Sequence, residues 1–110
     1  MVSIKNIGTG GASVQNRASF IVFQKTVTTA GTAVQLTAQA IPDGFKAVVK
    51  AKAGNTGTIE IGNSQANAQD AAIAFKLAAG QAVSLAVTNT SLIWIDATVD
   101  GEGVEVIVER

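Results

Sequence analysis

From Phe20 onward the apolar positions recur with a period of two. Phe20, Val22 and Gln24 alternate with Ile21, Phe23 and Lys25, and a short apolar run from Ala33 to Leu36 follows a Thr-rich stretch. β-branched and aromatic side chains dominate these segments, as a pleated, half-buried surface requires. Pro42-Asp43-Gly44 predicts a tight turn, because Pro sets φ at one position and Gly accepts positive φ at another. Beyond it, FKAVVKAKA (Phe45 to Ala53) and TIEIG (Thr58 to Gly62) flank the breaker GNTG and read as a β-hairpin in which Lys52 faces Glu60. The Ala-rich stretch from Ser64 to Ala79 admits one or two helical turns, since Ile73 and Leu77 stand four apart. The preferred reading is a loop over Asn63 to Asp70, then a strand from Ala72 with Ile73, Phe75 and Leu77 on one face. Val83, Leu85 and Val87 form a further alternating run. Ile93, Ile95 and Ala97 then alternate with Trp94, Asp96 and Thr98 before the turn DGEG, and Val104, Val106 and Val108 alternate with Glu105, Ile107 and Glu109. These last two runs read as another hairpin.

Eight or nine short strands separated by turn signals, with no long helix to bridge parallel strands, predict an all-β fold. The expected architecture is an antiparallel β-sandwich, jelly-roll-like, with an extended N-terminal arm. Residues 1–17 are assigned to the arm, because GTGGA (Gly8 to Ala12) and the polar SVQNR specify neither strand nor helix. Residues 18–110 are assigned to the sandwich. An open sandwich has edges, and edges invite association.

Chemistry enters the picture mainly by what is missing. The 110 residues contain no His and no Cys, which removes the commonest general base, the commonest metal ligand and the thiol nucleophile together. Carboxylates are left, and Asp96, Asp100, Glu102 and Glu105 cluster in sequence. A glycosidase-like acid and base pair or an oxygen-only Ca²⁺ site are the chemistries such residues support. Turn and strand placement explains them more simply, so no catalytic residue, cofactor or metal is assigned. GTGGA is preceded by no strand of useful length and followed by no Gly-Lys-Ser/Thr, so it is no phosphate loop.

Eight Lys plus Arg balance eight Asp plus Glu, with the basic residues dispersed and only four Phe, one Trp and no Tyr. That composition draws the chain to neither nucleic acid nor an anionic membrane. No run of eighteen apolar residues occurs, and the chain reads as soluble and unexported. Charged residues make up 15% of the chain, against roughly 25% in ordinary soluble domains, which suits a surface covered by neighbours. Trp94 has two readings: packing in the sandwich or at its margin, or an exposed anchor in a subunit contact.

Three stretches go beyond generic β patterning. TVTTAGTAVQL (Thr26 to Leu36), IPDGFKAVVKAKAGNTGTIEIGNS (Ile41 to Ser64) and AAGQAVSLAVTNTSLIWIDATVDGEGVEVIVER (Ala78 to Arg110) lie within Thr26 to Arg110, a range of about three quarters of the chain. They resemble a widespread group of small structural proteins of tailed bacteriophages. Where Pro-Gly-Glu is usual in that group, this chain has Ala79-Gly80-Gln81, and its loop Ser64 to Asp70 is longer. The resemblance implies a viral protein of the bacteriophage virion, a capsid decoration or cement protein made in the host cytoplasm and placed on the outer surface of the capsid. It implies the major capsid protein and copies of itself, as a homotrimer, as protein–protein interaction partners. On that reading Ile4, Ile7, Val14, Arg17 and Phe20 contact the capsid and Trp94 lies in an oligomer interface. The alternative is a tail or head-fibre module that binds host surface carbohydrate, for which one Trp and no Tyr provide few stacking surfaces.

Overall fold

The computed structural model describes residues 19–110. Its strands are β1 (Phe20–Thr26), β2 (Val34–Gln35), β3 (Ala47–Ala51), β4 (Ile59–Gly62), β5 (Phe75–Leu77), β6 (Ala82–Leu85), β7 (Trp94–Ala97) and β8 (Gly103–Glu109). A four-residue helix, α1 (Gln65–Ala68), follows β4, and a 3₁₀ turn (Thr90–Leu92) precedes β7. The strands form two antiparallel four-stranded sheets, ordered β1-β8-β3-β6 in sheet A and β2-β7-β4-β5 in sheet B.

The period-two runs place their apolar sets between the sheets. Val104, Val106 and Val108 of β8, and Ala47, Val49 and Ala51 of β3, meet Ile93, Ile95, Ala97, Ile59, Ile61 and Leu77 of the opposite layer in one core. Ile21, Phe23, Val83 and Leu85 close its flanks. In β3, β4, β6, β7 and β8 the inward set is the one the alternation selects, because a strand buried on one face puts its apolar residues at one parity. Of the expected face Ile73, Phe75 and Leu77 only Leu77 is buried, and β1 has apolar residues at both parities, with Phe20 and Val22 turned outward.

Both expected hairpins are corrected. β3 belongs to sheet A and β4 to sheet B, so GNTG carries the chain from one layer to the other and the two strands it joins do not pair. Lys52 therefore does not face Glu60; the register partners of Glu60 are Lys76 and Asp96. The DGEG turn likewise joins β7 in sheet B to β8 in sheet A. Alternation tells a strand which face is inward but not which strand lies beside it. The predicted loop after Gly62 contains α1, whose start is capped by Ser64 Oγ accepting from Asn67 N at 3.2 Å. Gly62 makes room for it: a Cβ there would lie 2.3 Å from the backbone nitrogen of Ala68. Of the predicted strand from Ala72, only Phe75–Leu77 pairs, and Ile73 is 61% exposed. The Pro42 turn forms as expected, with Phe45 N donating to Pro42 O at 3.1 Å and Gly44 at φ +85°.

Ile95 is fully buried at the centre of β7. Ile95→Ala is expected to lower unfolding free energy by about 2–5 kcal/mol, whereas Ile73→Ala on the exposed turn should change it by less than about 0.5 kcal/mol. Urea titration of both variants followed by circular dichroism checks the contrast.

Candidate functional site

The carboxylates singled out by their spacing do not converge. Asp96 and Asp100 both reach back to the loop after β1: Gly31 N donates to Asp96 Oδ1 at 2.9 Å, and Ala30 N donates to Asp100 Oδ1 at 2.7 Å. Glu102 turns to the connection between β3 and β4, accepting from Thr56 N at 2.6 Å, Thr56 Oγ1 at 2.8 Å and Gly57 N at 2.9 Å. Glu105 lies on the outer face of β8 with its Oε1 3.8 Å from Lys50 Nζ. Asp96 and Asp100 serve one loop, Glu102 a second, and Glu105 pairs with a lysine on the sheet face, so the four carboxylates do not face one common centre. Among the described residues no group of three or more acidic side chains is arranged to hold a metal ion.

Glu60 and Asp96 are the exception to dispersal, because they are register partners on the outer face of sheet B and are 6% and 2% exposed. Like charges directly opposite repel. Lys76 Nζ, 3.8 Å from Glu60 Oε2, and the N–H groups of Gly31 and Ala97 on Asp96 Oδ1 offset that repulsion. They are buried because α1 packs on β4 and β7 while the 27–33 loop is drawn down by Asp96. Gln69 Oε1 accepts from Ala33 N at 2.9 Å and Gln65 Nε2 donates to Ala33 O at 3.2 Å, locking loop and helix together. The third buried polar group, Thr90, donates from Oγ1 to Thr37 O at 2.6 Å and accepts from Gln39 N at 2.8 Å. These groups hold the fold, and their hydrogen bonds are made to the protein itself.

The outer face of sheet A exposes apolar side chains among charged ones. On the outer face of sheet A, Phe20 is 65%, Val22 58% and Ile107 44% exposed. Val22, Ile107 and Val48 lie in one row across β1, β8 and β3, bordering a shallow groove of about 320 Å³ whose walls include Lys50, Ala82 and Glu105. A second groove of about 210 Å³ opens where β4 and β6 end, lined by Ile61, Leu85, Val87, Leu92 and Ile93. Contiguous exposed apolar residues of this kind mark interaction surfaces.

Of the residues assigned from sequence, Ile4, Ile7, Val14 and Arg17 lie outside the described residues. Phe20 opens β1 and stands at the outer corner of sheet A. Trp94 shares the parity of Asp96, so it sits half-buried on the outer face of sheet B, beside Gln35 and Gly62, and not in the inter-sheet core. Val22, Val48 and Ile107 were not assigned as site residues. The signal for Val48 and Ile107 was present in the chain as an apolar residue centred on a charged face, Lys46-x-Val48-x-Lys50 and Glu105-x-Ile107-x-Glu109.

The three hydrogen bonds on Glu102 hold its carboxyl below the usual carboxylate range, the bond from the Thr56 backbone contributing most and burial opposing it. A depressed carboxyl stabilises the fold above its unfolded pKa and loses that contribution as pH falls through the folded one. Glu102→Gln is therefore expected to lower stability at neutral pH, with the gap from wild type closing on acidification below about pH 4. Urea midpoints measured across that range check it. Comparison with known proteins gives no matching family model, no matching curated protein and no matching solved structure.

Proposed function

We propose that the chain is a structural protein of a phage virion, a decoration or cement protein that binds the assembled head and stabilises it. The observation that carries this reading is a division of labour between polar and apolar groups. The polar groups tie loops to a rigid two-layer body, and the exposed outer face of that body is apolar around Phe20, the point where residues 1–18 join it. The similarity of the stretches between Thr26 and Arg110 to small tailed-phage structural proteins supports membership of a virion. The strand order β1-β8-β3-β6 against β2-β7-β4-β5 supports a jelly-roll topology, in which the first and last described strands are neighbours in one sheet.

In this mechanism the sandwich is a stiff platform and the N-terminal arm is the clamp. Ile4, Ile7 and Val14 supply apolar anchors, Arg17 pairs with acidic groups of the capsid, and Phe20 fixes the arm to the corner of sheet A. Trp94 serves contacts with neighbouring copies. A protein that binds only the assembled shell stabilises it by mass action, and several modest sites on one assembly multiply through effective concentration.

Removal of residues 1–17 is expected to weaken binding to purified heads by about 100-fold, the loss of three buried aliphatic anchors less the ordering they require. Occupancy measured by sedimentation of heads with bound protein checks this, and occupancy equal to that of the full chain takes the arm out of the mechanism.

A further inference from the structure

The outer face of sheet A is self-complementary, and we infer that it pairs with the same face of a second copy through a two-fold axis running parallel to the strands between β8 and β3. The two central strands carry opposite charge in the same pattern. β8 presents Glu105, Ile107 and Glu109, while β3 and the residue before it present Lys50, Val48 and Lys46. The register sets these side by side: Lys50 opposite Glu105, Val48 opposite Ile107, and Lys46 O accepting from Glu109 N at 3.1 Å.

A two-fold parallel to the strands reverses the order of strands and keeps the rows. It lays β8 of one copy over β3 of the other, so that Glu105 meets Lys50, Ile107 meets Val48 and Glu109 meets Lys46, each contact occurring twice. The same operation lays the outer strand β1 over β6, which sets Val22 against Ser84 and Gln24 against Ala82, a larger side chain against a smaller one in both rows. A two-fold across the strands would instead lay β8 on β8, placing Glu105 over Glu109. Charge therefore selects one axis of the two. Face-to-face sheets pack about 10 Å apart with strands roughly aligned, the spacing at which side chains of these rows interdigitate. Lys50 and Glu105 keep 45% and 44% of their side chains exposed within the chain, so both remain available to a partner.

The pair is isologous and closes on itself. It gives a dimer in place of the trimer implied by the family resemblance, and it does not depend on a role in a virion.

The test uses the full chain and two single substitutions, Glu105→Lys and Lys50→Glu. At roughly 100 µM, where mass action populates a pair of micromolar affinity, the wild-type chain should sediment with twice the mass of one chain. Each variant alone should be folded by circular dichroism and dissociate at least tenfold more readily. The reason is that Glu105→Lys sets two ammonium groups against each other at both contacts between copies, and Lys50→Glu sets two carboxylates against each other there. An equal mixture of the two variants should recover dimers containing one of each, read by native mass spectrometry. That recovery is specific to pairing between chains, since each variant still carries its own like-charged pair within the chain. A wild-type monomer or trimer overturns the inference, and so does a mixture that fails to combine. Ile107→Arg provides a second reading: a folded monomer supports the face as the contact, and an undiminished dimer places the contact elsewhere and overturns it.

Discussion

Everything in this protein rests on a single apolar layer trapped between two sheets. Valines at alternate positions of β8 interlock with isoleucines of β4 and β7, and no other interaction in the described chain is both as extensive and as far from water. Among the described residues only β4 and β5 are consecutive strands that pair with each other; every other connection crosses between layers. The sheets cannot be assembled from local hairpins. Phe20 pairs with Glu109 across almost the whole described length, so much of the loop-closure entropy is lost before the layer is complete.

Crossing connections create a second requirement. A loop that leaves one sheet and enters another carries backbone N–H groups that no ladder satisfies, and each must find an acceptor if it is covered. Asp96, Asp100 and Glu102 meet this need for the loops at 27–33 and 52–58, and Thr90 does so for residues 37–39. Acidic residues whose spacing could suggest catalysis are thus acceptors for displaced backbone. Their charge suits the task, because charge-assisted bonds to N–H groups are stronger than neutral ones. Gly62 belongs to the same arrangement, since its missing Cβ lets α1 settle against sheet B and cover Glu60 and Asp96.

With polar groups turned inward to the scaffold, the two sheets differ in their outer faces. Sheet B is covered by its own helix and loop. Sheet A is left open, with aliphatic side chains framed by acids on one strand and lysines on the next. A body built this way combines a stiff frame, a neutral total charge and an outer face patterned in both sign and size.

The chain alone determined the class of fold and the inward face of β3, β4, β6, β7 and β8, but not that of β1, where both parities are apolar. Val104, Val106 and Val108, or Ile93, Ile95 and Ala97, could be assigned to the core because side chains on a strand alternate strictly and water expels one set. It also announced the Pro42 turn, whose conformation is dictated locally by Pro and Gly. Which strand lies beside which was decided only in three dimensions. FKAVVKAKA and TIEIG look like a hairpin because a turn and two alternating runs are all that a hairpin displays in one dimension, yet burying both apolar faces required the second run to join the opposite layer. The same holds for the surface. The pattern Lys-x-Val-x-Lys and the pattern Glu-x-Ile-x-Glu lie more than fifty residues apart in sequence, and each alone is an ordinary solvated strand face. They become one complementary surface only because the core, by fixing the register of β3 against β8, brings them into adjacent columns.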